Sequence, residues 1–137
     1  MVATISHHNA LIYTMVLVSA ADRDMTDNEI ATIGESIRTL PVFRDYDLDQ
    51  LGDAAETCAE ILDSDEGLDT VLGLIKEGLP KKLHETAYSL ACEIAAADGK
   101  LSQEELRLLE IIRHELEVGR LPAAAIERGV RARYATI

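Results

Sequence analysis

Five carboxylates at two short turns are the residues of this chain best placed to do chemistry. Asp22, Asp24 and Glu29 surround one turn, and Asp98 and Glu105 surround the other. Carboxylate oxygens are hard donors, suited to calcium with its six to eight oxygen ligands or to magnesium with its octahedron and retained waters. The expectation is a divalent-cation site (calcium or magnesium) at Asp22, Asp24, Glu29, Asp98 and Glu105, formed if the two turns meet in space. An Asp at the C-terminal end of a helix also faces the negative end of the helix dipole. That misfit occurs twice, at Asp22 and Asp98, and a bound cation would relieve it.

Neither turn is an EF-hand loop. The run Asp22-Arg23-Asp24-Met25-Thr26 is superficially similar to the start of one. An EF-hand needs Gly at its sixth position and a bidentate Glu at its twelfth. Here those places hold Asp27 and Ile33, and in the second turn Lys100 and Leu109 occupy the third and twelfth places. A competing reading is structural. Ser102 and Glu105 have the spacing of a capping box, in which each side chain satisfies the other residue's backbone N–H, with Leu101 and Leu106 as the hydrophobic staple. Thr26, Glu29, Met25 and Ile30 fill the same places in the first copy. On that reading the glutamates cap helices, and Asp22 and Asp98 are solvated helix ends.

Other chemistry finds little support. The chain has no C-x-x-C, no H-E-x-x-H, no Gly-rich phosphate loop and no nucleophile beside a partnered histidine. Cys58 and Cys92 sit among apolar helical neighbours and read as buried free thiols, which fits a reducing compartment. His7, His8, His84 and His114 lack ligand spacing and read as exposed polar residues. The expectation is therefore not an enzyme.

The elements that position the turns are helices. A hydrophobic fraction of 47% with only 4% aromatics and no Trp demands an aliphatic core, which suits helix packing. Leu83, Ala87, Leu90, Ala91, Ile94 and Ala97 fall on one helical face, as do Leu48, Leu51, Ala55, Cys58 and Leu62. Leu68, Val71, Leu72, Ile75 and Leu79 form another stripe. So do Leu101, Leu108, Leu109, Ile112 and Leu116, and finally Ile126, Val130, Tyr134 and Ile137. Ala10–Ala21 is apolar nearly all round, which marks a central buried helix. That run is too short to span a bilayer, and no Lys or Arg precedes it as in a signal peptide. Pro41 ends the second helix, Pro80 parts the fourth from the fifth, Gly119 closes the sixth, and Pro122 suits the first turn of the seventh. The fold class expected is all-α: one compact bundle of about seven helices, with residues 1–137 as a single domain.

Aligning Asp22 with Asp98 exposes an internal repeat. Val18-Ser19-Ala20-Ala21-Asp22 answers to Ile94-Ala95-Ala96-Ala97-Asp98, and each leads through a short turn to a helix starting at Thr26 or Ser102. The repeat units cover approximately residues 10–38 and 86–116. Gly99 suits a left-handed residue just past a helix end. Arg23, at the corresponding place, adopts that conformation less cheaply, so the two turns should differ.

Ala96-Ala97-Asp98-Gly99-Lys100-Leu101-Ser102-Gln103-Glu104-Glu105 resembles the signature of the tellurite-resistance TerB-like family, and Ala20 to Glu29 resembles it without the glycine. The resemblance implies a bacterial, cytoplasmic, helical protein linked to tellurite or general stress resistance, with a metal site at the acidic turns. The departure from Gly to Arg23 weakens the first copy's share in such a site.

Charge bounds the partners. Thirteen basic residues against 25 acidic ones give a net charge of −12. Such a chain repels phosphate backbones and anionic membranes, so nucleic acid and membrane insertion are not expected. Ten acidic residues and no Lys or Arg lie between Asp45 and Asp69, whereas Arg120, Arg128, Arg131 and Arg133 face only Glu127 in the tail. The acidic stretch reads as a solvated face of the third and fourth helices or as a docking surface for a protein partner with a basic surface. The tail could instead pair with that face, within the molecule or in a homodimer.

Overall fold

A computed structural model describes residues 4–21, 27–97, 99 and 101–137. Its helices are α1 (His7–Ser19), α2 (Asp27–Thr39), α3 (Leu51–Leu62), α4 (Gly67–Gly78), α5 (His84–Ala96), α6 (Gln103–Glu115) and α7 (Arg120–Arg133). Short 3-10 turns over Pro41–Phe43, Leu48–Gln50 and Lys81–Leu83 join them, and no strand occurs among the described residues. The chain is all-α, a compact helical bundle.

Helix α1 is the axle. Ser6 caps its start by accepting from the Asn9 N–H at 3.1 Å, and every residue from Ala10 to Ser19 is buried. Such a helix has no polar face, so it is covered on all sides: α3, α4 and α5 pack against it, and α7 packs against α5. Leu11, Ile12, Met15 and Val18 are wholly buried, each worth about 1.5–3 kcal/mol of transfer free energy.

Both halves of the repeat are visible. Helices α1, α2, α5 and α6 each have 13 residues. Positions that correspond under the Asp22–Asp98 alignment share their burial: Ser19 with Ala95, Glu29 with Glu105, Ile33 with Leu109, and Ser36 with Ile112. The second pair thus reproduces the inward face of the first.

The breaks follow backbone chemistry. Leu40, preceding Pro41, is extended (φ −78°, ψ 137°), as the clash with a following proline ring requires, and α2 stops there. Gly99 takes φ 71°, the left-handed conformation expected of it. Gly67 lets α4 start hard against the end of α3, where a Cβ would run into the carbonyl oxygens of Ile61 and Leu62.

Several expectations need correction. Gly119 does not close α6; it is the N-cap of α7 with φ −67°. The left-handed residue is Glu117 at φ 55°, with the Val118 N–H bonded to Arg113 O and the Glu117 N–H to His114 O, a Schellman arrangement with buried Val118 behind it. The proposed staple is open, with Leu101 46% and Leu106 42% exposed. Tyr134 caps α7, and Ile137 lies beyond it, fully exposed. Leu83 belongs to the 3-10 turn before α5 rather than to the helix itself. The stripes ran past their helices because apolar spacing carries no stop signal of its own.

Candidate functional site

Of the five carboxylates, Glu29 and Glu105 are described, while Asp22, Asp24 and Asp98 lie outside the described residues, as do Arg23, Met25 and Thr26. Both described glutamates stand at the third residue of a helix, α2 and α6 respectively, and both are buried. Glu105 completes the expected capping box. Its Oε1 accepts from the Ser102 N–H and the Ser102 hydroxyl, each at 3.2 Å, and its own N–H donates to Ser102 Oγ at 3.1 Å. The carboxylate also sits where the positive end of the α6 dipole favours negative charge. Among the described residues, no group of three or more His, Cys, Asp or Glu side chains is gathered closely enough to hold a metal ion.

The helix ends that flank the two turns are brought to the same end of the bundle. The end of α1, Ala20 and Ala21, shares a groove with Glu104, Arg107 and Leu108 at the start of α6. Reciprocally, the end of α5, at Glu93 and Ala97, shares a polar cleft of about 430 Å³ with Asn28, Ala31 and Thr32 at the start of α2. Each hairpin's first helix therefore finishes against the other hairpin's second helix.

Periodicity concealed several polar residues of the fold. Ser19, the last residue of α1, is fully buried, and its hydroxyl has no hydrogen-bond partner among the described residues. Its position in the second copy holds Ala95. His8 is not the exposed residue expected. Its Nε2 lies 2.9 Å from Val42 O and 3.1 Å from Asp45 Oδ1, and its ring stacks on Phe43. The His84 ring nitrogen Nδ1 likewise pairs with Leu116 O at 2.9 Å. These contacts join residues more than thirty positions apart, and no local spacing foretells them.

Both thiols are free and buried. Burial pushes the ionisation of Cys58 up to about 12. For Cys92, burial is again the main cause, opposed in part by the neighbouring Tyr88 hydroxyl, and the result is about 11. Tyr88 donates its hydroxyl to Glu127 Oε2 at 2.6 Å, fastening α7 to α5, and burial together with that bond raises its own ionisation strongly. Arg133 pairs with Glu93, a second tie between the same helices. Of the tail's arginines Arg133 is thus engaged with α5, and among the described residues no ion pair joins the tail to the acidic stretch.

That stretch remains open. Asp53, Glu56, Glu60, Asp63, Asp65, Glu66 and Asp69 are all exposed, and no ion pair reaches them among the described residues.

A family model described as tellurite resistance protein TerB matches residues 8–127. The chain belongs to the TerB family. The match runs from α1 into α7 and takes in both hairpins and all five carboxylates, so the TerB signature around Asp98 is part of a relationship covering nearly the whole fold. No curated protein and no solved structure matches the chain. Family membership makes this a protein of the tellurite-resistance type. Among the described residues of this TerB-family chain, no helix is long and apolar enough to cross a membrane.

Proposed function

We propose that this TerB-family chain is a non-catalytic stress-resistance protein of the cytoplasm that binds a divalent cation, calcium or magnesium, between its two acidic turns. One observation supports the reading: the helices that flank the two turns pack reciprocally, α1 against α6 and α5 against α2. Asp22, Asp24, Glu29, Asp98 and Glu105 would supply the ligands. All are hard oxygen donors, as calcium and magnesium prefer. In a chain of net charge −12, carboxylates held at one end repel each other, and a cation turns that repulsion into attraction. At Glu105 the capping bonds engage one carboxylate oxygen, Oε1.

The thiols argue for a supporting rather than a chemical role. Thiol reduction of an oxyanion needs thiolate, and ionisations near 12 and 11 leave only about one part in ten thousand or less ionised at neutral pH. The acidic surface also repels an oxyanion. Two free thiols suit a reducing compartment.

Calorimetric titration of chelator-treated protein with calcium, and separately with magnesium, tests the cation reading. Saturable binding of one or two ions per chain is expected, and the absence of any saturable heat or competition would refute it.

A second reading is favoured by the seven open carboxylates of α3, α4 and the corner between them: a docking scaffold for a basic protein surface, with the turns acting only as caps. Its mark is association that weakens steeply with salt and needs no divalent ion.

A further inference from the structure

The groove that α1 shares with α6 has a third wall, the corner where α3 gives way to α4. Its volume is about 590 Å³. Ala21, Ala59, Leu62, Leu108 and Ile111 supply much of its apolar lining, and Leu68, 39% exposed, stands at one side. Between Glu104 and Ile111 the α6 wall runs about 10 Å, two helical turns. Small residues on two walls leave the space that a helix backbone needs to come close, and an apolar stripe of i, i+3/i+4, i+7 spacing would fill such a channel.

The charge around it is one-sided. Asp63 and Glu104 line the groove, and Arg107 is the one cationic side chain among its described lining residues. On either side of Asp63 in the chain, Glu56, Glu60, Asp65, Glu66 and Asp69 are exposed, and no Lys or Arg occurs from Asp45 to Ile75. We propose that the groove between the α3–α4 corner and α6 receives a short cationic amphipathic helix of a partner protein. This deepens the docking reading and rests on it, and it does not depend on the cation site. The chain's own cationic helix, α7, is not the occupant. It is fastened to α5 by Tyr88–Glu127 and Arg133–Glu93, and two copies of net charge −12 repel.

Ala59 makes the proposal testable, because it lines the groove yet is exposed, so Ala59→Trp fills the channel without entering the core. The probe is a fluorescent amphipathic peptide of leucine and lysine, about 14 residues long, so that it can form three to four helical turns. Binding is followed by anisotropy at about 0.15 M salt, where the Debye length is short. An all-glutamate analogue and an Asp53→Asn, Glu56→Gln variant serve as comparisons, and unchanged circular dichroism confirms each variant's fold. The wild type should bind the lysine peptide and not the glutamate one. Ala59→Trp should weaken binding by about tenfold or more, as blocking a central pocket does. The charge variant, altered outside the groove, should weaken it by about threefold at most. Loss in the charge variant with none in Ala59→Trp would overturn the groove while leaving an acidic docking face. No binding by the wild type would overturn both. Self-association of the wild type that Arg128→Glu abolishes would also overturn it, by making α7 of a second copy the occupant.

Discussion

Glu29 and Glu105 occupy the same place in α2 and α6, the third residue of each helix, and the fold buries both, to 3% and 4% exposure. A carboxylate is among the costliest groups to bury unless it is paired and hydrogen-bonded. The repeat thus sets a buried carboxylate in the first turn of both α2 and α6, where the positive end of each helix dipole favours negative charge.

The capping box at Ser102 can be measured alone. Ser102→Ala removes the acceptor for the Glu105 N–H and should cost about 1 kcal/mol in urea unfolding. Glu105→Ala should cost more, about 2 kcal/mol, because it leaves the Ser102 N–H and hydroxyl without their shared partner. Equal and negligible losses would mean that water replaces the box.

Two left-handed residues should respond in opposite directions. Gly99→Ala, at φ 71° with open space around its Cβ, should destabilise by about 1–2 kcal/mol through backbone strain alone. Glu117→Gly, at φ 55°, relieves the same strain and should stabilise by up to about 1 kcal/mol. Thermal melts of the two variants check both signs.

Much of this was readable from residue order, and the exceptions share a cause. The all-round apolarity of Ala10–Ala21 announced a buried central helix, Ser102 and Glu105 announced their box, and Gly99 announced its turn. These are local signals, carried by residues within a turn or two. Glu117 carries no such signal, because a Schellman turn normally advertises itself with glycine and the glycine here, Gly119, stands two residues further on. His8 against Val42 and Asp45, the buried Ser19 hydroxyl, and the three-walled groove join distant elements, and no spacing within one helix encodes them. The five carboxylates were legible as residues, and two of them, Glu29 and Glu105, as capping glutamates at helix starts; their burial was not.

Ser19 offers a sharper local test. Its buried hydroxyl has no partner among the described residues, and the equivalent Ala95 needs none. In chelator-treated protein Ser19→Ala should be neutral or stabilising, by up to about 1 kcal/mol, since a buried unsatisfied hydroxyl costs free energy. A loss of more than that would reveal a bonding partner for the hydroxyl.

Stability should fall at alkaline pH for a definite reason. The thiols of Cys58 and Cys92 have folded ionisations raised by burial to about 12 and about 11, above the ordinary 9.0. The unfolded chain therefore loses these protons first as pH rises. The contribution of the neutral thiols is complete below pH 9 and is lost progressively as pH climbs toward 11 and then 12. In that window each thiol steepens the decline by about 1.4 kcal/mol per pH unit. Urea unfolding between neutral pH and the thiol range should show this slope, and Cys58→Val should make it shallower. An unchanged slope in the variant would assign the alkaline loss to the buried tyrosines.

The central claim, a divalent cation at the paired turns, is tested most directly by thermal melting of chelator-treated protein with and without millimolar calcium or magnesium, beside an Asp98→Asn, Glu105→Gln variant that keeps side-chain size. A ligand bound only to the folded state raises the melting temperature by mass action. The account predicts a rise of several degrees in the wild type that the variant largely loses. An equal rise in both, which is diffuse screening of an acidic surface, or no rise in the wild type, would contradict it and leave the turns as a pair of helix caps.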